Sequence, residues 1–325
     1  MTRVAVLDDW QGVAESLVDW SALTAKAEVT FFRAAFANAD EVVAQLAGYD
    51  VILAMRERTP LSKQVIDRLP KLRLISFTGP RNAAVDAAAC TARGILVCNT
   101  VATRSSHDTA ELALGLLLAA ARHLPLGDAE MRAGRFQDHV PPGLGLFKRT
   151  LGLIGLGRIG AQVASYGRAL GMEVLAWSQN LTEERALEAG ATRVGKDELL
   201  ARADAISLHL VLSDRSRGII GAADIAKMKP GAILVNTSRG PLIDQAALLE
   251  ALQARRIVAA LDVYDQEPLP PAHPLRRAPN TVLSPHLGYV TRDNMVDFYT
   301  AAVENIVAWI QGAPVRVVNQ EVLTA

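Results

Sequence analysis

LGLIGLGRIGAQVASYGRALGMEVLAWS, residues Leu151 to Ser178, decides the fold. Leu151, Leu153 and Ile154 spell a short apolar strand that runs into Gly155-Leu156-Gly157-Arg158-Ile159-Gly160. Val163, Ala164 and Leu170 then follow at helical spacing up to Gly171, and Val174 to Trp177 is a second apolar run. A strand, a glycine turn, a helix and a strand in this order make the unit that seats a dinucleotide at the start of its helix. Each glycine has a task. Gly155 permits the tight bend, Gly157 lets the backbone approach a pyrophosphate, and Gly160 lets the helix lie close on the strand. The unpaired N–H groups of the helix start then favour the negative charge of the diphosphate.

Sites of this kind that hold NAD place an acid about twenty residues beyond the glycines, where it takes the ribose hydroxyls. Here the second strand ends in Ser178-Gln179-Asn180. With no carboxylate, nothing repels a 2′-phosphate, yet no Arg stands beside Ser178 to attract one; Arg158 or Arg185 would have to reach over. The residues leave NAD or NADP open.

The chain has 325 residues, enough for two domains with separate cores. Its 34 basic and 34 acidic residues balance, which argues against a nucleic acid or an anionic membrane as partner, since those leave a basic excess. Cys90 and Cys98 are too few for a disulfide framework and are not spaced like a metal site. The start, MTRVAVLDDW, reads as a strand rather than a signal peptide, so a reduced, cytoplasmic setting is expected.

Before the glycine turn, apolar runs at Val4 to Leu7, Val29 to Phe32, Val51 to Met55, Leu72 to Phe77 and Ile95 to Cys98 alternate with helix-like or turn segments, among them Leu61 to Leu69 after Pro60. That alternation implies a parallel sheet covered by helices. Having no phosphate-binding turn, this half is expected to face the substrate, with Thr78 to Asp86 just past a strand's carboxyl end. Asp108 and Glu111 suggest a capped helix start, and Leu112 to Ala121 is apolar on nearly every face, as in a connector packed between domains. Gly127 to Lys148 is expected to be an arm or loop at a subunit contact.

After the turn, Thr182 to Ala189 reads as a helix. Ala205 to Leu210, Ile233 to Asn236 and Val258 to Leu261 read as strands, with a helix over Gln245 to Ala254. Glu267 to Pro285 is expected to be loop because of its prolines. Thr291 to Gln311 is a long amphipathic helix ending at Gly312, expected to return to the first domain. The resulting fold class is α/β: a doubly wound nucleotide domain of the Rossmann kind over residues 101–288, and a smaller flavodoxin-like parallel-sheet domain over residues 1–100 completed by 289–325.

Three short motifs fall at strand ends of the second domain: Asn236-Thr237-Ser238-Arg239-Gly240, Asp262-Val263-Tyr264-Asp265-Gln266-Glu267-Pro268, and Ser284-Pro285-His286-Leu287-Gly288. Taken one at a time, Arg239 is a surface cation, Glu267 a solvated acid and His286 a residue making one hydrogen bond. Taken together they meet a chemical requirement. Reducing a 2-oxo acid needs a cation for the carboxylate, a proton donor for the new hydroxyl and a group that keeps the donor charged. Arg239 can clamp a carboxylate through its planar fork, His286 can donate the proton, and Glu267 can orient the imidazole and favour its protonated form.

Through GLGRIG, NTSRG, DVYDQEP and SPHLG in that order, the chain resembles the D-isomer-specific 2-hydroxyacid dehydrogenases over nearly its full length. The resemblance implies a split substrate domain, a nicotinamide domain and a homodimer. It implies substrate binding by Arg239, pairing of Glu267 with His286, contact of Asp262 with the nicotinamide amide, and Thr109 and Thr237 lining the cofactor. His209 and Gly288 are expected to border the cofactor as well. Glu267 also distinguishes the chain from the superfamily's formate dehydrogenases, which carry Gln there.

Three places depart from the family pattern. Gly79-Pro80-Arg81 replaces the usual Gly-Val-Gly, removing one backbone donor unless Gly79 and Arg81 supply it; the Arg81 side chain would then favour a more anionic substrate. His209-Leu210-Val211 replaces His-x-Pro, and Phe136 stands where many members have Trp. The expected activity is reduction of a small 2-oxo acid such as glyoxylate or hydroxypyruvate. The alternative is a non-catalytic nucleotide sensor of the same fold, like the family's corepressors, against which the intact Arg239, Glu267 and His286 set weighs.

Overall fold

The computed structural model describes residues 1–101 and 104–324. It divides into two compact units, Met1–Arg104 with Thr291–Ala325, and Ser105–Val290.

Unit 1 is built on five parallel strands: β1 (Thr2–Val6), β2 (Ala27–Phe31), β3 (Val51–Ala54), β4 (Leu74–Phe77) and β5 (Leu96–Asn99), in the order β2-β1-β3-β4-β5. The central strands β3 and β4 are buried along their whole length, as near-continuous apolar runs require when both sheet faces are covered. Ala5, Leu7, Ile52, Ala54, Ile75 and Val97 form the heart of one core cluster. The helix Arg292–Ile310 joins this unit. Thr291 caps it by accepting the Asn294 amide, and Met295, Phe298, Tyr299, Ala302 and Ile306 are buried. Its buried Asn305 fastens the helix to the sheet by donating to Ser76 Oγ (3.1 Å) and the Asn99 carbonyl (2.9 Å). The segment after the helix pairs with β5, because Val318 N donates to Val97 O and Asn99 N to Arg316 O.

Unit 2 holds seven parallel strands: β6 (Thr150–Ile154), β7 (Glu173–Trp177), β8 (Thr192–Arg193), β9 (Ala205–Leu208), β10 (Ile233–Asn236), β11 (Val258–Leu261) and β12 (Thr281–Leu283), in the order β12-β11-β10-β9-β6-β7-β8. The order reverses between β6 and β9, the place where open α/β sheets take their ligands. Apolar clusters centred on Leu175, Ile206 and Leu234, and on Leu153, Ala205 and Val235, cover the two faces. The two sheets are thus both parallel and of the α/β class, with the glycine turn following the first strand of the larger one.

Four local expectations are corrected. The helix expected to begin at Asp108 starts at Ser105, so Asp108 lies inside its first turn rather than at a cap. Only one side of that helix is buried, through Ala110, Ala113, Leu116, Leu117, Ala120 and Ala121, because it packs on the helix Arg158–Ala169 and on β10 and β11. Part of the expected 127–148 loop is helical: Leu124–Arg132 forms a helix with Pro125 in its first turn, where a missing N–H costs nothing. Prolines also fail to keep 267–285 irregular. Pro274 opens a 3₁₀ turn, and β12 follows at the sheet edge.

Candidate active site

The register of the unit 2 sheet levels its strand ends. Ile154 lies opposite Leu208, Leu208 opposite Asn236, Asn236 opposite Leu261 and Leu261 opposite Leu283. The residues that follow, Gly155, His209, Thr237, Asp262 and Ser284, therefore leave the sheet side by side at one edge.

Gly155 has φ +100°, and a Cβ on it would stand 2.5 Å from the His209 carbonyl oxygen. Only glycine lets two chains leave neighbouring strands this close together. A Cβ on Gly160 would stand 2.3 Å from the Gly155 carbonyl oxygen, which is how closely the helix sits on the turn. Gly157 differs, because its Cβ would meet nothing within 4 Å. It caps the helix Arg158–Ala169 without a side chain, so bare backbone and the first-turn amides face open space. Arg158 is exposed, and Ile159 packs partly against the core. Ser178 is half-buried at the end of β7, followed by exposed Gln179 and Asn180.

Two buried polar groups border this turn without a protein partner among the described residues. His209 Nδ1 and Nε2 make no hydrogen bond, and neither does Thr237 Oγ1. Burial pushes the His209 imidazole down to about 4, so it is neutral at physiological pH and offers one donor and one acceptor rather than a charge. Buried polar atoms are normally satisfied, and a polar ligand seated on the bare backbone of Gly157 would satisfy these.

The ends of β11 and β12 assemble a carboxylate and imidazole pair. His286, at φ +56°, presents Nδ1 to Glu267 Oε2 at 2.5 Å. Glu267 Oε1 accepts the Tyr264 amide at 2.9 Å, so the carboxylate is pinned at both oxygens. A carboxylate accepting from Nδ1 fixes the proton on that nitrogen and aims Nε2 outward. The imidazole and the carboxylate are each about one-fifth exposed (19% and 22%), enough to meet a substrate and too little to be freely solvated.

Asp262 is fully buried and braces the histidine loop. Its Oδ1 accepts the Ser284 hydroxyl (2.6 Å) and the Leu287 amide (2.7 Å), and its Oδ2 accepts the Gly288 amide (2.9 Å). Burial raises its carboxyl above the ordinary value against the pull of these donors and of His286. Thr109 ties the same loop down from the other side by donating to Gly288 O (3.0 Å).

Arg239 lies half-buried on the loop after β10, where Nη1 donates to Ser238 O (2.7 Å). Asn236 stitches that loop by donating to Arg239 O and accepting from Ser238 N. A Cβ on Gly240 would stand 2.1 Å from the Tyr264 carbonyl carbon, so the arginine loop and the glutamate loop touch backbone to backbone. Tyr264 extends the bracing, since its hydroxyl donates to Ser284 O (2.9 Å) and burial lifts its phenol above the ordinary value. Sequence reasoning missed Asn236, Gly240, Tyr264 and Ser284 as members of the site. The only written signal was their place inside the three motifs.

In unit 1, Gly79 follows β4 at φ +94°, and the Arg56 guanidinium fills the space a Cβ would need. The Gly79 amide donates to Thr100 Oγ1 (2.9 Å), so the donor expected for a substrate carboxylate is spent inside the unit. Arg81 is exposed. Among the described residues no group of three or more His, Cys, Asp or Glu is placed to hold a metal ion. No single helix there is long and apolar enough to cross a membrane.

Comparison with known proteins gives the arrangement a context. The family model described as D-isomer specific 2-hydroxyacid dehydrogenase, NAD binding domain, matches residues 114–288. The chain is 37% identical over 278 residues to the D-3-phosphoglycerate dehydrogenase of Archaeoglobus fulgidus, covering 85% of this chain and 52% of that protein. It thus spans about half the length of the first curated relatives it matches. It is 38% identical over 293 residues to the glyoxylate reductase of Aeropyrum pernix, covering 85% of this chain and 87% of that one. Among solved structures, a phosphoglycerate oxidoreductase from Vibrio cholerae superposes with a TM-score of 0.90 at 36% identity, over 96% of this chain and 100% of that one.

Proposed function

Because this chain belongs to the D-isomer-specific 2-hydroxyacid dehydrogenase family, we propose that it reduces a small 2-oxo acid to the D-2-hydroxy acid using NADH or NADPH. The observation that carries this reading is the pinned Glu267–His286 pair. Glu267 stands on a loop packed against that of Arg239, at the edge that also bears the glycine turn.

The residues fit a dinucleotide. Gly155, Gly157 and Gly160 shape the turn, and the amides from Arg158 and Ile159 onward take the diphosphate. The unsatisfied atoms of His209 and Thr237 take polar groups of the same ligand, and Ser178 faces the ribose end. The nicotinamide supplies the hydride when bound. Arg239 holds the substrate carboxylate through its guanidinium fork. Glu267 keeps the His286 ring oriented, and Nε2 delivers the proton to the oxygen that becomes the hydroxyl. Asp262, Thr109 and Gly288 set the height of that ring; contact of Asp262 with a carboxamide is the further role we assign it.

We read unit 1 as flavodoxin-like, a reading its strand order 2-1-3-4-5 supports, and assign it to the substrate, with Arg81 as a contact for an anionic group. Glyoxylate and hydroxypyruvate are the first substrates to test. Without an acid after β7 the ribose end accepts either cofactor. A homodimer is proposed on Leu124, Met131, Phe136 and Phe147, each more than half exposed on the helix 124–132 or the arm after it.

The test is oxidation of NADH and of NADPH over a panel of 2-oxo acids, for the wild type and His286→Ala. Turnover lost in the variant supports the reading. Bound cofactor with no turnover on any acid would replace it with a nucleotide sensor.

A further inference from the structure

The amino edge of the unit 1 sheet, opposite the edge that Gly79 leaves, carries a cavity of about 480 Å³. It lies where strands begin: Thr2 opens β1, Leu72 and Arg73 precede β4, and Gly94 and Leu96 bracket the start of β5. Leu72, Leu96, Ile310, Pro314, Val322 and Leu323 give it an aliphatic lining. Arg73 and Arg93 give it charge, and no Asp or Glu is among the described residues that line it.

The wall formed by the segment after the helix Arg292–Ile310 is fixed. Buried Asn319 clips that segment to β5 by accepting the Val97 amide (2.8 Å) and donating to the Ile95 carbonyl (2.9 Å) and to Thr91 Oγ1 (3.1 Å). Glu321, the acid of the same segment, is engaged by the Thr91 hydroxyl (3.2 Å). Gly94 and Gly312 leave room, since a Cβ on either would meet nothing within 4 Å. Both cations are held by uncharged groups. Arg73 lies over the Trp309 ring, 5.0 Å from its centroid, and Arg93 donates through Nη1 to the Ile66 carbonyl and through Nη2 to the Leu69 carbonyl (3.2 Å). These contacts orient the guanidinium groups without neutralising them, and a guanidinium has further N–H groups to give.

We propose that this cavity is a binding site for a medium-chain aliphatic carboxylate, whose head is drawn by Arg73 and Arg93 and whose chain lies on the aliphatic lining. Charge complementarity names the head, because two cations without an acid favour an anion. The lining names the tail, because six aliphatic residues surround the space while one face of Trp309 is already taken by Arg73. A cavity of this size matches those that take small ligands. The site lies wholly in unit 1 and stands apart from the proposed reduction of a 2-oxo acid.

Calorimetry on the full chain at pH 7.5 tests this with three probes: octanoate, octylammonium, which has the same chain and the opposite charge, and acetate, which has the head without the chain. Octanoate is expected to bind with a Kd of about 1 mM or below, roughly tenfold or more tighter than either of the others. Arg73→Gln and Leu323→Glu change exposed residues, so both should fold. Each should weaken octanoate by about tenfold, the first by removing a charge-assisted hydrogen bond and the second by repelling the carboxylate. Octanoate affinity unchanged in both variants, octylammonium binding as tightly as octanoate, or no octanoate binding up to about 10 mM overturns the proposal.

Discussion

Replacing Asp8 by Asn should make the protein more stable at neutral pH, because the native fold holds this carboxyl where its charge is poorly solvated. Burial raises it from 3.8 to about 6, against opposing pulls from the Thr59 hydroxyl and the Arg58 charge. Between those two values the native state binds more protons than the unfolded chain. Stability from this group is thus fully present below about pH 4 and is lost as pH rises through about 6. A difference of about two pKa units corresponds to about 3 kcal/mol at pH 7.5. Asn carries no charge, tolerates the left-handed backbone and still accepts the Thr59 hydroxyl, so it regains most of that sum. Urea unfolding read by tryptophan fluorescence is a suitable assay, since Trp10, Trp20 and Trp309 lie in unit 1 and only Trp177 in unit 2. The variant should match the wild type at pH 4 and unfold at roughly 1 M higher urea at pH 7.5. An offset independent of pH, or a variant less stable at pH 7.5, would show that the Asp8 charge does not destabilise the fold.

Gly240→Ala should cost about 3 kcal/mol or more and abolish turnover, because its Cβ would stand 2.1 Å from the Tyr264 carbonyl carbon; thermal unfolding and NADH oxidation check this. Asp262→Asn turns an amide NH₂ towards one of the donors that a carboxylate satisfies, Leu287 N or Gly288 N. A loss of roughly 1–3 kcal/mol is expected, with kcat falling more than cofactor affinity because the His286 loop moves. Burial pushes the thiols of Cys90 and Cys98 up to about 12 and about 11, so a disulfide reagent at pH 8 should label neither until urea unfolds unit 1.

How much could be read in advance follows from the range of the forces involved. Strands β3, β4, β9 and β10 are near-continuous apolar runs, and a glycine turn needs only its own neighbours, so both were legible. The pairing of Glu267 with His286 came from chemical need and from family resemblance, and the structure adds the Tyr264 amide that pins the acid. β12 was hidden because Thr281–Leu283 is three residues long among prolines, and the sheet edge rather than local propensity makes it a strand. The helix Leu124–Arg132 was masked by Pro125 and Gly127. The roles of Gly240 and Asp8 depend on loops remote in sequence, Tyr264 in one case and Thr59 in the other, and no local pattern encodes them.

In the proposed reaction Glu267 and His286 act as one proton-delivering unit beside a dinucleotide. Single-turnover reduction of a 2-oxo acid by the cofactor-loaded protein tests it most directly, comparing the wild type with Glu267→Gln at pH 7. The expected reduction rate is lower by about 10²- to 10⁴-fold, with cofactor affinity unchanged. A rate within twofold of the wild type would contradict it.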